Sequence, residues 1–157
     1  LGAYTILNGF YYAQQRQHMD FHTSIEHCQS HGSSQEFYKG IATDHARAIF
    51  NGKIIVHPNA QQSNAQQSNK NLLLSKHAEI DTKPELEIYA DDVKCAHGAT
   101  VGQLDENMLF YLRARGLDQK TAENFLLQAF IFEITQRLPN LLKESIETLL
   151  WSHYVTR

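Results

Sequence analysis

Cys95 and His97, in the segment YADDVKCAHGATVG, are the pair of residues best suited to chemistry in this chain. If the segment is extended, positions i and i+2 point to the same side, so the sulfur and the imidazole become near neighbours. A thiolate is a soft ligand suited to iron–sulfur chemistry, and imidazole binds iron or zinc. Three interpretations stay open on spacing alone: a metal-binding pair, a nucleophilic cysteine with a histidine base, and a structural cysteine beside a turn histidine. Two ligands do not complete a cluster site, which needs about four.

A second group of potential ligands lies in the stretch HMDFHTSIEHCQSHG. If this stretch is a strand, three of its residues share a face and make a plausible metal triad: His18, Asp20 and His22. Three others match no structural zinc spacing: His27, Cys28 and His31. The simpler interpretation is that these imidazoles stack on a polar surface, and Cys28 is assigned no role.

Asp91 and Asp92 are the remaining candidates for acid–base work or for a hard cation. Adjacent residues of a strand point in opposite directions, so the two carboxylates do not converge, and a turn is the better interpretation. The sequence has no phosphate-binding glycine loop and no hydrolase or metalloprotease motif. Any nucleotide energy must therefore come from a partner.

The elements that would position these residues change type along the chain. Short β-like runs fill the first part, separated by Asn-Gly, His-Gly-Ser, His-Pro-Asn and Asp-Asp turn signals. The runs are Ala3–Phe10, Glu36–Ile41, Ala48–His57, Asn71–Leu74 and Glu85–Ala90. In the last run Leu86, Ile88 and Ala90 predict one buried face. A sandwich, a barrel and a β-solenoid all fit this pattern. A loop-like segment repeats AQQSN, and its amides weakly favour stacked coils.

Residues 103–157 are predicted to be helical. Asp105 is a candidate cap for a first helix with an apolar stripe, and Gly116 would end that helix. The stripe consists of Leu104, Met108 and Leu112. Asp118 is the candidate cap of a second helix reaching about residue 138, and Pro139 would open a third. The second helix is apolar on more than one side, which predicts a second contact either within the chain or with a partner.

Composition narrows the function classes. The 157 residues carry a formal charge of −3, which gives no basic surface for nucleic acid. No window is long and apolar enough to span a membrane. Two distant cysteines make no disulfide framework, so we expect a reducing cytoplasm in which a cysteine is available as a thiolate. The opening LGAYTILNGFYY resembles the middle of a β-rich element, so we expect a part of a longer protein.

One long stretch carries a specific resemblance. TKPELEIYADDVKCAHGATVGQLDENMLFYLRARG, residues 82–116, closely resembles the core of the SufB/SufD family of iron–sulfur cluster assembly proteins. The preceding YKGIATDHARAIFNGKIIVHPNAQQSNAQQSNKNLLLSKHAEID looks like the repeated coils of that family. The phrase HAEIDTKPELEIYADDVKCAHGATVG and an ending through Trp151 and Tyr154 resemble the SufD branch more than the SufB branch.

The resemblance implies a mostly β fold: a right-handed parallel β-helix over residues 1–102, followed by a small helical subdomain over residues 103–157. It implies a non-enzymatic scaffold that pairs with SufB and binds SufC, the ABC-type ATPase that hydrolyses ATP. Cys95 and His97 fall on the family's Lys-Cys-x-His-Gly motif, so they would hold iron or a transient cluster shared with SufB. A flavin in the complete complex is undetermined.

The resemblance also places the ATPase contact on the first helix. The implied partner-binding residues are Asp105, Met108, Tyr111, Leu112 and Arg115. A β-helix that starts within its fold has an open end, so a homodimer of this chain is a further expectation. Two alternatives remain: a purely structural interaction module for the ATPase, and a β-helix enzyme, for which no converging set of acids is evident.

Overall fold

The computed structural model describes the backbone of residues 2–154 and the side chains of residues 2–148. Backbone contacts divide the chain into two units, Leu1–Gly102 and Gln103–Arg157. The first contains strands β1 (Tyr4–Ala13), β2 (His18–His27), β3 (Ser33–Ala42), β4 (Arg47–Val56), β5 (Asn64–Leu73), β6 (Glu79–Ile88) and β7 (Lys94–Gly102). The second contains helices α1 (Glu106–Ala114), α2 (Gln119–Thr135) and α3 (Asn140–Tyr154). None of the described helices is long and apolar enough to cross a membrane.

The first unit is a parallel β-solenoid. Successive strands alternate between two sheets, ordered β1-β3-β5-β7 and β2-β4-β6. Tyr4 pairs with Ser33, Ser33 with Asn64 and Asn64 with Lys94, so one turn takes about 30 residues. About three such turns precede the helices. The predicted β-helix followed by helices is therefore confirmed.

Several strand predictions were too short or missing. The runs Asn71–Leu74 and Glu85–Ala90 caught only the ends of β5 and β6, and neither β2 nor β7 was among the predicted runs. β2 is mostly polar, because a solenoid strand buries only the face that points inward. β7 is rich in alanine and glycine, which are depleted in strands and gave no strand signal. The predicted buried face of β6 is partly wrong, since Ile88 is 42% exposed near the end of that strand.

Aromatic rings fill much of the interior. Tyr11 stacks on Phe21 with ring centroids 4.9 Å apart. The ring centroids of Tyr38 and Phe50 are 4.8 Å apart. These rings come from strands of both sheets, so they tie the two sheets together across the core.

The Asn-Gly pairs are not turns, contrary to the sequence prediction. Gly9 lies inside β1 and Gly52 inside β4. A Cβ at Gly9 would overlap the ring of Tyr38, and one at Gly52 would overlap the Gln67 amide and the Phe50 ring. These glycines make room for neighbouring side chains in the core, which a local turn rule does not detect.

The AQQSN repeat is not one surface loop. Its second copy lies in β5, where Asn69 is fully buried. Asn71 donates to Asn69 Oδ1 at 2.6 Å, and Thr82 donates to the same oxygen at 2.7 Å. The Tyr11 hydroxyl donates to Asn71 Oδ1 at 2.6 Å. Burial raises the pKa of Tyr11 to about 12, so this hydroxyl stays a donor at physiological pH.

The corners of the solenoid repeat a left-handed backbone conformation. Gln15 and Asp44 have φ of 58° and 59° at one corner, and His31 and Gln62 have φ of 63° and 60° at another. Such values are uncommon outside glycine. The Asp44 carboxylate accepts from the Gln15 backbone N–H at 2.7 Å, which links successive corners. The predicted His-Gly-Ser, His-Pro-Asn and Asp-Asp turns fall at the corners.

The predicted helix caps are confirmed. Asp105 accepts from two backbone N–H groups of the first turn of α1, and Asp118 accepts from the Thr121 N–H at 3.0 Å. Gly116, at φ 96°, follows α1 and ends it with the hydrogen-bond pattern of a Schellman motif. Two boundaries differ: α2 ends at Thr135, short of residue 138, and Pro139 precedes α3 instead of lying in its first turn.

Among the described helical residues, the buried side chains lie in α2. Its buried side chains are Ala122, Leu127, Ile131, Ile134 and Thr135. Helix α1 buries none of its residues fully, and the predicted stripe is wrong at Met108, which is 49% exposed. The apolar surplus of α2 leaves Phe125 and Phe132 more than half exposed. The side chains of Leu149, Leu150, Trp151 and Tyr154 lie outside the described residues.

Candidate functional site

Cys95 and His97 lie on the same side of β7. Their register partners in β5 are Ala65 and Gln67, and both partners are buried. The i, i+2 spacing therefore places the sulfur and the imidazole on the inward-facing side of the strand. β7 is the last strand of its sheet, with a paired strand on one side only within the described residues.

Cys95 is half-buried against apolar side chains. The cluster it packs against consists of Ile54, Val56, Ala60, Ala65 and Ala90. Removal from water raises the pKa of the Cys95 thiol, and a hydrogen bond with the Ala65 backbone opposes this only in part. A raised pKa leaves the group as a neutral thiol at pH 7, so the expectation of a ready thiolate is wrong for Cys95. A ligand role then requires that binding displace the proton.

His97 is exposed, and a buried polar row leads to it. Glu36, Gln67 and His97 are register neighbours in β3, β5 and β7. Gln67 donates to Glu36 Oε2 at 2.6 Å, and both side chains are at most 3% exposed. Gln67 Oε1 and Glu36 Oε1 have no hydrogen-bond partner. An unpaired acceptor, Gln67 Oε1, therefore lies in the strand next to that of His97.

The pair does not gather further protein ligands within the described residues. In that part of the chain, the group of three potential ligands that converges lies elsewhere, on Glu26, Cys28 and His57. Cys95 and His97 thus form an incomplete site, with one half-buried sulfur and one exposed imidazole. Completing a cluster or an iron site here needs ligands from outside the described residues.

The predicted triad of His18, Asp20 and His22 shares a face but is not brought together as a set of ligands. All three lie on the outer face of β2, as the spacing predicted, and His22 Nε2 is 3.0 Å from Asp20 Oδ1. The three do not converge as a set of ligands. Ring stacking on the surface occurs between two other histidines, His45 and His77, whose centroids are 4.8 Å apart.

His27, Cys28 and His31 point to different surroundings. His27 is buried and hydrogen-bonds Ser34 Oγ at 2.8 Å, and its burial lowers the pKa of the imidazole, which favours the neutral ring. Cys28 is exposed, and His31 occupies a left-handed corner. The absence of a zinc spacing among these three agrees with this divergence.

Cys28 does belong to a cluster of potential ligands that was not predicted from the sequence. Its sulfur and one ligand atom each of Glu26 and His57 all lie within 4.8 Å of one another. His57 is one solenoid turn away, so no spacing motif links it to Cys28. Only the repeat length of about 30 residues could have indicated their proximity, once the coils were aligned.

Asp91 and Asp92 lie in a bend between β6 and β7, and both are exposed. The Asp92 N–H donates to Gln61 Oε1 at 2.9 Å, and its carbonyl accepts from the Gln62 N–H. These bonds agree with the predicted turn. Neither carboxylate belongs to a converging group of potential ligands among the described residues.

The predicted partner-binding residues of α1 differ in availability. The Asp105 carboxylate is occupied as the helix cap, and Leu112 is half-buried. Met108 and Tyr111 are about half exposed, and the Arg115 guanidinium lies 4.8 Å from the centroid of the Tyr111 ring. Phe110, which was not predicted as a contact residue, is the most exposed aromatic residue of this helix at 74%.

Comparison with known proteins gives a consistent result. A family model described as the SufBD core domain of SUF system FeS cluster assembly matches residues 1–130. The iron–sulfur cluster assembly protein SufD of Escherichia coli K12 is 49% identical over 119 residues, covering 76% of this chain and 28% of that protein. A SufBD family protein of Synechocystis is 47% identical over 137 residues, covering 87% and 29%. SufD of Bacillus subtilis is 36% identical over 123 residues, covering 76% and 28%. The chain spans less than a third of the length of these relatives.

Proposed function

This chain belongs to the SufBD family of the SUF system for iron–sulfur cluster assembly, and we propose that it acts there as a scaffold subunit. In this proposal it pairs with a SufB-type paralogue and binds a SufC-type ABC ATPase in the cytoplasm. Cys95 and His97 contribute to holding iron or the nascent cluster, which is the cargo of the assembly. ATP hydrolysis belongs to the partner.

The incomplete ligand pair on β7 is the observation that carries the ligand role. A sulfur and an imidazole share one side of a terminal strand, and the described residues supply no third ligand beside them. A half-site of this kind is useful only if another chain brings the remaining ligands. The exposure of His97 leaves the imidazole accessible to such a chain.

The raised pKa of Cys95 gives the site a second property. At pH 7 the sulfur is protonated and a poor ligand, so iron or a cluster must displace a proton to bind it. Occupation is therefore expected to strengthen as pH rises toward the thiol pKa. This behaviour suits a site that holds a cluster transiently and then releases it.

The ATPase contact is proposed for the exposed side of α1. Met108 and Tyr111 supply apolar and aromatic surface, and Arg115 supplies a cation beside the ring. ATP-driven closure of an ATPase pair would move the bound helical unit as a rigid body. That movement would change how Cys95 and His97 meet the ligands of the paralogue.

The second candidate function is a purely structural interaction module. The packing of Cys95 against five buried apolar residues favours it, since structural cysteines are commonly buried in this way. Cluster retention separates the two candidates, because only the scaffold with a ligand role loses cargo when the pair is altered.

The test of the ligand role is His97→Ala in the complete subunit, assembled with its paralogue and ATPase. We expect cluster assembly to fall roughly tenfold or more, since a metal ligand is lost, while ATPase binding stays unchanged. His22→Ala is the matched control, because His22 is also an exposed strand histidine. Full-rate assembly by the His97 variant would refute the ligand role and favour the structural module.

The docking surface is tested by Tyr111→Ala. Loss of the ring removes an exposed aromatic anchor and the partner of Arg115, so we expect at least tenfold weaker ATPase binding. Glu106→Ala, on the same helix, controls for effects on α1 itself. Equal binding by the wild type and the Tyr111 variant, measured by calorimetry, would place the ATPase contact elsewhere.

A further inference from the structure

We propose that Glu26, Cys28 and His57 form a second metal site, for a divalent transition-metal ion of the Zn²⁺ type, on an outer corner of the solenoid. The three ligand atoms lie within 4.8 Å of one another. This proposal does not depend on the scaffold function, because these residues lie at the ends of β2 and β4, whereas Cys95 and His97 lie in β7.

Strand register brings the three residues together. His27 and Val56 are partners at the ends of β2 and β4, and the His57 N–H donates to the His27 carbonyl at 3.0 Å. Cys28 and His57 therefore follow directly from two paired strand ends. Because side chains alternate along a strand, Glu26 and Cys28 share the outer face, with His57 beside them.

The donor set matches borderline metals. Zn²⁺ takes cysteine sulfur at about 2.3 Å, histidine nitrogen at about 2.0–2.1 Å and carboxylate oxygen at about 2.0–2.2 Å. Around a tetrahedral ion such bonds place neighbouring ligand atoms roughly 3.3–3.8 Å apart. His57 Nε2 and Glu26 Oε2 are already 3.1 Å apart. An ion that replaces the shared proton needs only small side-chain adjustments, with no change in the strands.

The backbone gives this cluster partial preorganisation. His57 is held between its hydrogen bond to β2 and Pro58, whose ring fixes φ. The contact with Glu26 orients the imidazole toward the corner. Three protein ligands leave a fourth position for water or for an incoming ligand, as in open zinc sites. The exposure of Glu26 and Cys28 lets the ion exchange with solvent.

Co²⁺ is a suitable probe, because it occupies zinc sites and a bound thiolate gives it a near-ultraviolet charge-transfer band that imidazoles alone do not produce. The titration uses the whole chain carrying Cys95→Ser, so that Cys28 is the sole thiol. We expect the band to saturate at one equivalent and to disappear when Zn²⁺ is added. Anaerobic competition with Fe²⁺ then shows whether iron also binds.

Variants on the same background decide the assignment. Cys28→Ser should abolish the band, and Glu26→Gln or His57→Gln should weaken Co²⁺ binding roughly 10- to 100-fold or more. His22→Gln, which removes another exposed histidine next to a carboxylate, should leave binding unchanged. A band that survives Cys28→Ser, or an affinity unaffected by His57→Gln, would overturn the site. Neither failure bears on cluster assembly at Cys95, which is tested separately.

Discussion

Cys95 and Cys28 are the same type of residue in two different environments, one half-buried and one exposed. Cys95 lies on the inner side of a strand, packed against apolar side chains, and its thiol pKa is raised by burial. Cys28 lies on an outer corner, exposed beside a carboxylate and an imidazole. The difference shows that the side of the solenoid wall, and not the residue type, decides what a cysteine can do in this fold.

Gly40 in β3 is closely surrounded by side chains, whereas Gly98 in β7 is open, so adding side-chain volume should reduce stability only at Gly40. Gly40→Val places atoms where the Tyr11 ring and the Asn71 amide lie, and we expect a loss of about 3 kcal/mol in the free energy of unfolding. Gly98→Val is the matched control, since a Cβ there meets nothing within 4 Å. Chemical denaturation measures both variants, and equal losses would contradict the contrast between the two glycine positions.

Adding a charge at each cysteine should also change the free energy of unfolding differently at the two positions, by less than the change at Gly40. Cys95→Asp puts a carboxylate against the apolar cluster and should cost about 2 kcal/mol of unfolding free energy. Cys28→Asp leaves its carboxylate in solvent, so its effect should stay within about 0.5 kcal/mol. If the two variants unfolded at the same denaturant concentration, the burial of Cys95 would not be what distinguishes them.

Thiol reactivity should separate the two cysteines without altering stability. Only the thiolate is alkylated, and the pKa of Cys95 lies above its ordinary value of 9.0. Its alkylation rate should therefore still be rising with pH beyond pH 9, and at pH 7.5 it should be roughly tenfold or more below that of exposed Cys28. The Cys28→Ser variant retains only Cys95, and the Cys95→Ser variant retains only Cys28, so mass spectrometry measures the alkylation rate of each cysteine separately. A Cys95 rate that levels off below pH 9 would exclude the raised pKa.

Local signals predicted the helical part better than the β part. Asp105, Asp118 and Gly116 act through groups within a few residues, so capping rules located them correctly. Asn8-Gly9 and Asn51-Gly52 look like turns by the same local rules, yet they lie in strands. The reason is a side chain from another strand, the Tyr38 ring at Gly9 and the Gln67 amide at Gly52, which no local rule includes.

The Cys95 and His97 site was also predictable only in those features that depend on local sequence. The common face of Cys95 and His97 follows from the alternation of side chains in a strand, so the sequence predicts it. The environment of Cys95 does not follow, because its apolar neighbours come from β4, β5 and the corners. The expected ready thiolate was wrong for this reason.

By itself, the sequence determined that a β part precedes a helical part, the helix caps, the shared face of Cys95 and His97, and membership of the SufBD family through a long specific match. Tertiary structure alone decided which faces are buried, that burial raises the pKa of the Cys95 thiol, and that Glu26 and Cys28 meet His57. The physical reason is that strand pairing joins residues about 30 positions apart, and burial and ligand geometry both depend on that register.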